Sequence, residues 1–175
     1  TYGFLDGSQG YQKTFINTRT QACQEHGVTV GVDAYLQGWQ RGVRQYCTPD
    51  NAFSQGKQGA DYQGICPLDM EKAFAHYYQE GLIVHAAHQR VADIEQDIDS
   101  SREMLEELEQ DIAKTRSQLE DLGLKRADRQ RLLDKLDALY QTKAMRSSQL
   151  YELYRQQDEA KVALRFVQTQ HPRPY

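Results

Sequence analysis

The heptad repeat of the C-terminal half constrains the fold more than any other feature of this sequence. Only one glycine, Gly123, lies between Leu82 and the C-terminus, and the prolines of this half are Pro172 and Pro174. Such a composition is typical of long helices, because glycine and proline destabilise helix interiors by about 1 and about 3 kcal/mol relative to alanine. Apolar residues recur with heptad spacing in two registers, one on each side of Gly123. They are Val91, Ile94, Ile98, Leu105, Leu108, Ile112 and Leu119, then Leu132, Leu136, Leu139, Leu150, Leu153, Ala160, Leu164 and Val167.

Two architectures satisfy this repeat: one continuous helix that dimerises, or a hairpin that turns near Gly123. The charges favour the hairpin. Residues 85–122 carry a net charge of −7 and residues 125–168 a net charge of +4, so the two segments attract each other, whereas a parallel homodimer would repel itself. We therefore predict an antiparallel coiled-coil hairpin over residues 81–170. Folding about residue 122 places Ser101 opposite Lys143.

Polar and aromatic residues along the second arm mark it as a candidate contact surface. Lys143, Arg146 and Gln157 occupy seam positions, where they either fix the register or weaken the seam so that it accepts a partner helix. Tyrosines that flank the seam either pack against its core or form a binding stripe, since tyrosine is common at interfaces. The apolar side chains at the tip either close the turn or form a second contact point. The candidate partner-contact residues are Leu122, Gly123, Leu124, Tyr140, Tyr151 and Tyr154.

Residues 1–80 differ from the hairpin in composition, since 11 of the 12 glycines and all three cysteines lie within residues 1–81. The pattern predicts an extended lead-in over residues 1–10 and a helix over 11–26. It also predicts a helix over 34–46 with Asp33 as its N-cap and a third helix from Met70 with Asp69 as its N-cap. Gly38 and Gly42 lie four residues apart and predict a close backbone contact. The predicted fold is all-α: a small Gly/Cys-containing helical head with an irregular loop (1–80), the hairpin (81–170) and a tail (171–175).

Three cysteines in this small module suggest one disulfide in an oxidising compartment, although three buried thiols in a cytosolic protein also fit. The Gly-rich stretch between Cys47 and Cys66 is too long for a simple connector. A Cys47–Cys66 disulfide would close it at its base as an Ω-like loop packed by Phe53 and Tyr62. A Cys23–Cys47 pair fits less well, because these residues lie at opposite ends of a predicted helical hairpin.

The sequence offers little support for catalysis or for nucleic-acid binding. A net charge of −4 argues against non-specific binding to phosphates, and no phosphate-binding glycine loop is present. His85 and His88 could share a metal with His76 or Glu80, and Cys23 with His26 could form a nucleophile pair, but two ligands or a pair without an activating group is a weak signal. We predict no catalytic residue, cofactor or metal.

The Gly, Tyr and Cys residues of the head form two spaced motifs. They are Tyr35-x-x-Gly38-x-x-x-Gly42-Val43-x-x-Tyr46-Cys47 and Gly56-x-x-Gly59-x-x-Tyr62-x-x-x-Cys66-Pro67, with Asp33 and Cys23 upstream. Over residues 10–80 this spacing resembles an uncharacterised domain of Gram-negative envelope lipoproteins. The resemblance implies an exported protein whose precursor carries a lipidated cysteine upstream of Thr1. It implies a periplasmic location, anchored to the outer membrane, and supplies no catalytic residues.

These features predict a non-enzymatic cell-envelope protein that contacts envelope protein partners through its coiled-coil arm. The alternative is a module that binds glycan or peptidoglycan with its Gly/Tyr-rich loop. An enzyme is the third class.

Overall fold

A computed structural model describes residues 2–174, and within this range all regular secondary structure is helical. The predicted all-α class is confirmed. The α-helices, with a 3-10 turn at Lys13–Phe15, are α1 (Tyr2–Ser8), α2 (Ile16–Gln24), α3 (Val32–Tyr46), α4 (Pro49–Lys57), α5 (Leu68–Leu119) and α6 (Arg126–Gln170).

The described residues form two compact units. The head unit contains residues 2–87 and 166–174, and the hairpin unit contains residues 88–165. The fold thus places residues 81–87 and 166–170 with the head. The division predicted at residues 80 and 170 stays a prediction, and Tyr175, the last residue of the predicted tail, lies outside the described residues.

Two segments that the sequence assigns to irregular structure contain helices instead. The lead-in of residues 1–10 contains α1, and the predicted loop after Cys47 begins with α4. The Thr48 hydroxyl accepts a hydrogen bond from the Asn51 backbone N–H at 3.3 Å, and Pro49 lies in the first turn, where its missing N–H breaks no helical bond. Only residues 58–67 remain as the irregular loop. The glycines of both segments serve close helix packing, which local propensity does not reveal.

The boundaries of the other head helices are close to those predicted. The predicted helix over 11–26 is a 3-10 turn followed by α2. Helix α3 matches its prediction at the C-terminus but begins at Val32, with Gly31 rather than Asp33 at the N-cap. Helix α5 begins at Leu68, so Asp69 lies in its first turn rather than capping it.

Helices α1 and α3 cross with their backbones in contact, and glycines permit this approach. A Cβ atom at Gly3 would overlap the carbonyl oxygen of Tyr35, and one at Gly42 would overlap the carbonyl oxygen of Phe4. The cost of glycine in a helix, about 1 kcal/mol relative to alanine, is offset by packing that no larger residue allows. The close backbone contact predicted from the glycine spacing is confirmed at Gly42.

The same crossing occurs a second time, between α4 and the N-terminal part of α5. Here a Cβ atom at Gly56 would overlap the carbonyl oxygen of Tyr78, and one at Gly81 would overlap that of Phe53. The head unit therefore contains two glycine-mediated helix pairs of one kind.

The two helix crossings also share a short sequence motif. Residues 4–10 read FLDGSQG and residues 53–59 read FSQGKQG, identical at four of seven positions. Each segment ends in a glycine with positive φ, +84° and +69°, and each of these glycines is covered by a ring, from Tyr46 in the first copy and His85 in the second. We interpret the head as a tandem repeat of one helix–glycine-turn motif.

In the hairpin unit, α5 and α6 pack against each other as predicted, and the connection between them, residues 120–125, contains Gly123. The predicted attraction between the arms is present: Lys143 pairs with Glu109 at 2.7 Å and Lys161 with Glu95 at 3.3 Å. The buried seam residues come from the predicted heptad positions. They are Val91, Ile94, Ile98, Ile112, Thr115 and Ala160.

The register of the two arms differs from the prediction by about one heptad. Lys143 pairs with Glu109 rather than facing Ser101, which is eight residues away. The Gln157 amide likewise donates to Glu95, at 3.0 Å. The apolar pattern repeats every seven residues, so a shift of one heptad keeps apolar residues together, and the pattern alone cannot choose between the two registers.

The tip of the hairpin is held by backbone capping. Arg129 donates to the carbonyl oxygen of Leu119, the last residue of α5, at 2.9 Å and to that of Asp121, in the connection, at 3.0 Å. The Asp121 carboxylate accepts from the Gly123 backbone N–H at 2.8 Å. A cation at a helix C-terminus satisfies orphan carbonyls and interacts favourably with the helix dipole.

Candidate functional site

The predicted disulfide between Cys47 and Cys66 is present and closes the segment that holds α4 and the irregular loop. It lies beside an aromatic cluster centred on Phe74, which is fully buried. The ring centroids of Tyr46 and Tyr62 lie 5.4 and 4.6 Å from that of Phe74. Cys23 is a free, half-buried thiol.

The tyrosine hydroxyls around the loop are engaged within the head unit. Tyr62 donates to the Glu71 carboxylate at 2.5 Å and accepts from the Cys66 backbone N–H at 3.0 Å. Tyr78 donates to the carbonyl oxygen of Ala60 at 2.7 Å. Burial and the hydrogen bond to Glu71 raise the pKa of Tyr62 above its usual value, so this phenol stays protonated. These hydroxyls fix the loop.

The Asp6 carboxylate forms a second polar cluster, which the sequence analysis missed. Asp6 is fully buried. It accepts hydrogen bonds from Arg19 at 2.6 and 3.1 Å and from the Tyr35 hydroxyl at 2.8 Å. The guanidinium of Arg19 also lies against the rings of Tyr2 and Phe15, about 5 Å from each centroid. The two partners, Arg19 and Tyr35, lie 13 and 29 residues from Asp6 in sequence, so no local spacing identifies them.

The pKa values of this cluster follow from its geometry. Burial alone would raise the pKa of Asp6, but the hydrogen bonds from Arg19 and Tyr35 and the charge of Arg19 outweigh it and lower the pKa. Burial and the bond to Asp6 raise the pKa of Tyr35. The cluster holds α2, none of whose described residues is buried, against α1 and α3.

The histidines and cysteine considered as chemical groups do not converge on one site. His85 Nδ1 lies 3.1 Å from the Lys57 carbonyl oxygen, and Glu80 pairs with His171. Among the residues that the structure describes, no three His, Cys, Asp or Glu side chains are grouped as metal ligands.

The C-terminal segment of the head unit is tied to α4 and α5 by ion pairs. His171 pairs with Glu80, and Arg173 binds Asp50 with two hydrogen bonds, the Nη2 bond being 2.8 Å. Asp50 lies in the first turn of α4, so residues 171–174 of the predicted tail contact the second glycine-mediated helix pair.

The predicted contact residues at the tip are accessible. Leu122 is 97% exposed, Gly123 is exposed and Leu124 is half-buried. Leu122 continues the heptad pattern of the first arm, but its side chain is almost fully exposed and is not buried in the seam.

The predicted tyrosines of α6 form part of a longer exposed apolar surface, which we call the tyrosine stripe. Tyr151 is 76% exposed, and Tyr140 and Tyr154 are also exposed. At about 100° per residue, the members of the stripe fall within an arc of about 80° on one side of α6. They are Leu133, Tyr140, Tyr151, Tyr154 and Val162. The opposite arm, α5, has no exposed large apolar residue within its described residues 88–119.

A groove on another side of the hairpin lies between α5 and α6. We call it the serine–methionine groove and define it by the residues Asp97, Ser101, Met104, Met145, Ser148 and Glu152. Its volume is about 700 Å³. The seam is thin here: none of the described α5 residues between Ile98 and Ile112 is buried. The seam residue Ser101 is small and leaves space in the groove that a leucine would fill.

None of the described helices is both long enough and apolar enough to cross a membrane. Comparison with known families matches residues 1–82 to the family described as "Protein of unknown function (DUF2799)". No curated protein and no solved structure matches the chain significantly. The matched range covers both glycine-mediated helix pairs and the disulfide, and ends near the start of the hairpin unit.

Proposed function

We propose that this protein is a non-enzymatic component of the bacterial cell envelope that acts by contact, binding a protein partner through its hairpin unit. The observation that carries the proposal is the tyrosine stripe. Tyr140, Tyr151 and Tyr154 lie exposed on one side of α6, with 45%, 76% and 39% of their surfaces accessible. Tyrosine buries a large, rigid surface at little entropic cost, and it is enriched at protein interfaces for that reason.

We further propose a periplasmic location with a lipid anchor upstream of Thr1 that holds the protein at the outer membrane. The Cys47–Cys66 disulfide supports export, because disulfides persist in oxidising compartments and are rare in the cytosol. The resemblance of the head motif to a domain of envelope lipoproteins supports the anchor.

The glycan-binding alternative has weaker support. It needs exposed aromatic faces and free hydroxyls in the Gly/Tyr-rich loop. The hydroxyls of Tyr62 and Tyr78 are instead bonded to Glu71 and to the Ala60 carbonyl oxygen. Both hydroxyls therefore have structural partners within the head unit.

The contact proposal is tested by capture of partners from the native envelope after in vivo crosslinking. The variant replaces Tyr140, Tyr151 and Tyr154 by serine, and we expect its captured partner to fall at least tenfold. The matched control replaces three exposed polar residues of α5 by serine: Glu103, Glu106 and Gln110. Equal capture by the stripe variant and the wild type would refute a contact through the stripe.

The location is tested by fractionating cells that express the precursor at native level. We expect the protein in the outer-membrane fraction, with Cys47 and Cys66 protected from a thiol-alkylating reagent and only Cys23 labelled. A cytosolic protein with three reactive thiols would contradict the envelope proposal.

A further inference from the structure

The serine–methionine groove has the construction of a site for a helix. Helix-in-groove recognition places the apolar face of an amphipathic helix into an apolar channel, often between two helices. Met104 and Met145 line this groove from opposite arms. Methionine is flexible and polarisable, so it adapts to varied apolar side chains. Ser101 and Ser148 are small and allow a third backbone to approach.

The negative charge around the groove favours a basic partner. Asp97 lies on one side of the groove and Glu152 on the other. A smaller depression adjoins it at Met104 and adds Glu107 and Asp111. Arg155 binds Glu152 with two hydrogen bonds and also pairs with Glu159, so these three side chains together keep a net charge of −1. Among the described residues, Asp97, Glu107 and Asp111 form no ion pair. The other cation beside these pockets is Arg146, which donates to Gln149.

We infer that the serine–methionine groove binds a basic amphipathic helix of the partner protein, with apolar side chains between Met104 and Met145 and Lys or Arg side chains against Asp97 and Glu152. This inference rests on the proposed function and adds the chemistry of its partner. The groove runs from Asp97 to Met104, about 10 Å along α5, so it accommodates about two turns of helix.

A second copy of this chain fits the groove less well than a basic helix. A second copy could offer the tyrosine stripe of its own hairpin unit. Asp137 and Asp158 fall on that side of α6, near Tyr140 and Tyr154 in helical spacing. These carboxylates would meet the carboxylates of Asp97 and Glu152, and like charges brought together in an interface disfavour it.

The three methionines of the chain make a direct test possible by methyl NMR of [13C-methyl]methionine-labelled protein. Met104 and Met145 lie in the groove, whereas Met70 lies in the head unit and serves as an internal reference. The probe is a synthetic amphipathic helical peptide with leucine on one face and lysine along its edges, titrated at low ionic strength. The comparison peptide has glutamate in place of each lysine. We expect the lysine peptide to shift the Met104 and Met145 signals but not that of Met70, and to bind at least about tenfold more tightly than the glutamate peptide.

Variants of the full chain separate the groove from general charge attraction. Asp97→Asn with Glu152→Gln, and separately Ser148→Trp, which fills the groove, are each expected to weaken binding about tenfold. Asp137→Asn with Asp158→Asn removes the same formal charge from the stripe side and is expected to leave binding unchanged. No shift at saturating peptide, a shift of Met70 alone, or equal losses in the groove and control variants would overturn the inference. Dilution-dependent Met104 and Met145 signals without peptide would assign the groove to a second copy and overturn it too.

The outcomes for the groove and for the proposed function are distinguishable. If the methionine signals do not respond while the stripe variant still loses its partner, the groove inference fails and the contact proposal stands. If the groove binds the lysine peptide while the stripe variant keeps its partner, the contact through the stripe fails and the groove stands.

Discussion

At the scale of single residues, the Asp6 carboxylate is the most demanding group in the head unit, because it is fully buried and still ionised. A buried charge is tolerated only when it is paired and hydrogen-bonded, and Asp6 has both Arg19 and Tyr35 as donors. The interaction joins α2 to α1 and α3 and substitutes for the apolar packing that α2 lacks.

Replacing Arg19 by Gln should therefore destabilise the head. Removing one partner of a buried pair typically costs about 3–5 kcal/mol; because the Arg19 side chain is 34% exposed, we expect about 2 kcal/mol. Chemical denaturation of the full chain measures the loss. Arg41→Gln, at an exposed arginine of the same unit, is the control and should change stability by less than about 0.5 kcal/mol. Equal effects of the two substitutions would show that the Asp6 pair contributes little.

The same cluster should shape the pH dependence of stability. Because the pKa of Asp6 is lower in the folded protein than in the unfolded chain, its contribution is present above about pH 3.9 and is lost as the pH falls through the folded value. Tyr35 has a raised pKa, so its contribution is present below about pH 10 and is lost as the pH rises above that value. In denaturation curves from pH 2 to 11, Asp6→Asn should flatten the acid limb and Tyr35→Phe the alkaline limb. Limbs unchanged in both variants would contradict this assignment.

The Cys47–Cys66 disulfide should also contribute to head stability. Constraining a loop of this length in the unfolded chain is worth about 3 kcal/mol, so Cys47→Ser with Cys66→Ser should lower the free energy of unfolding by about that amount. Cys23→Ser is the control, since Cys23 is free. A comparable loss in the Cys23 variant would indicate that this thiol has a packing role that the half-buried position does not suggest.

At the scale of helices, the paired glycine crossings organise the head. The Gly38 and Gly42 pair predicts a close backbone contact, which is confirmed at Gly42, but the partner helix α1 is predicted as extended chain because it contains two glycines of its own. Glycine lowers local helix propensity and at the same time permits the tertiary contact that stabilises the helix. Only a comparison of residues 4–10 with 53–59 would have indicated that both segments form the same element.

These crossings predict an unusual response to alanine. Alanine favours helices by about 1 kcal/mol over glycine, but a Cβ atom at Gly42 or Gly81 would overlap a backbone carbonyl oxygen that cannot move independently. We expect Gly42→Ala and Gly81→Ala to destabilise the protein by about 1–3 kcal/mol each, as overpacked cores do. Gly123→Ala, at the exposed tip, is the control and should be nearly neutral. Thermal unfolding followed by circular dichroism measures all three, and a stabilising effect at Gly42 would exclude the close crossing.

The hairpin shows what heptad patterns can and cannot determine. All the seam positions assigned to α6 are at least half-buried, from Leu132 to Val167, and the opposite charges of the arms meet as predicted. The register differs by about a heptad, since it depends on how the turn around Gly123 and the Arg129 cap join the arms. The groove at Ser101 could not be located from sequence for the same reason: its walls depend on which residues face each other.

At the scale of the whole molecule, the chain combines a head with many internal constraints and a hairpin with few. The head unit has a disulfide, a buried ion pair and two backbone crossings. The hairpin unit has a narrow seam, and its exposed apolar residues are confined to α6 and the tip. This division suits the proposed contact role, because the outer surface of a two-helix hairpin stays open to a partner. The disulfide, the ion pair and the crossings stabilise the head.

Matched deletions of whole heptads test this division, since they shorten both arms and preserve the observed register. Deleting residues 99–112 together with 139–152 removes most of the serine–methionine groove, and it also removes Tyr140 and Tyr151. Deleting residues 113–119 together with 132–138 removes one heptad per arm near the tip. This second deletion leaves the groove, Tyr140, Tyr151 and Tyr154 in place. We expect the first protein to lose partner capture and the second, shorter by about 10 Å, to retain it. Both should keep the Cys47–Cys66 disulfide and high helicity, measured by non-reducing mass mapping and circular dichroism. Loss of partner capture in both proteins would assign the contact to the position of Leu122 at the tip. Full capture by both would assign the contact to the head unit, because each deletion leaves the head sequence intact.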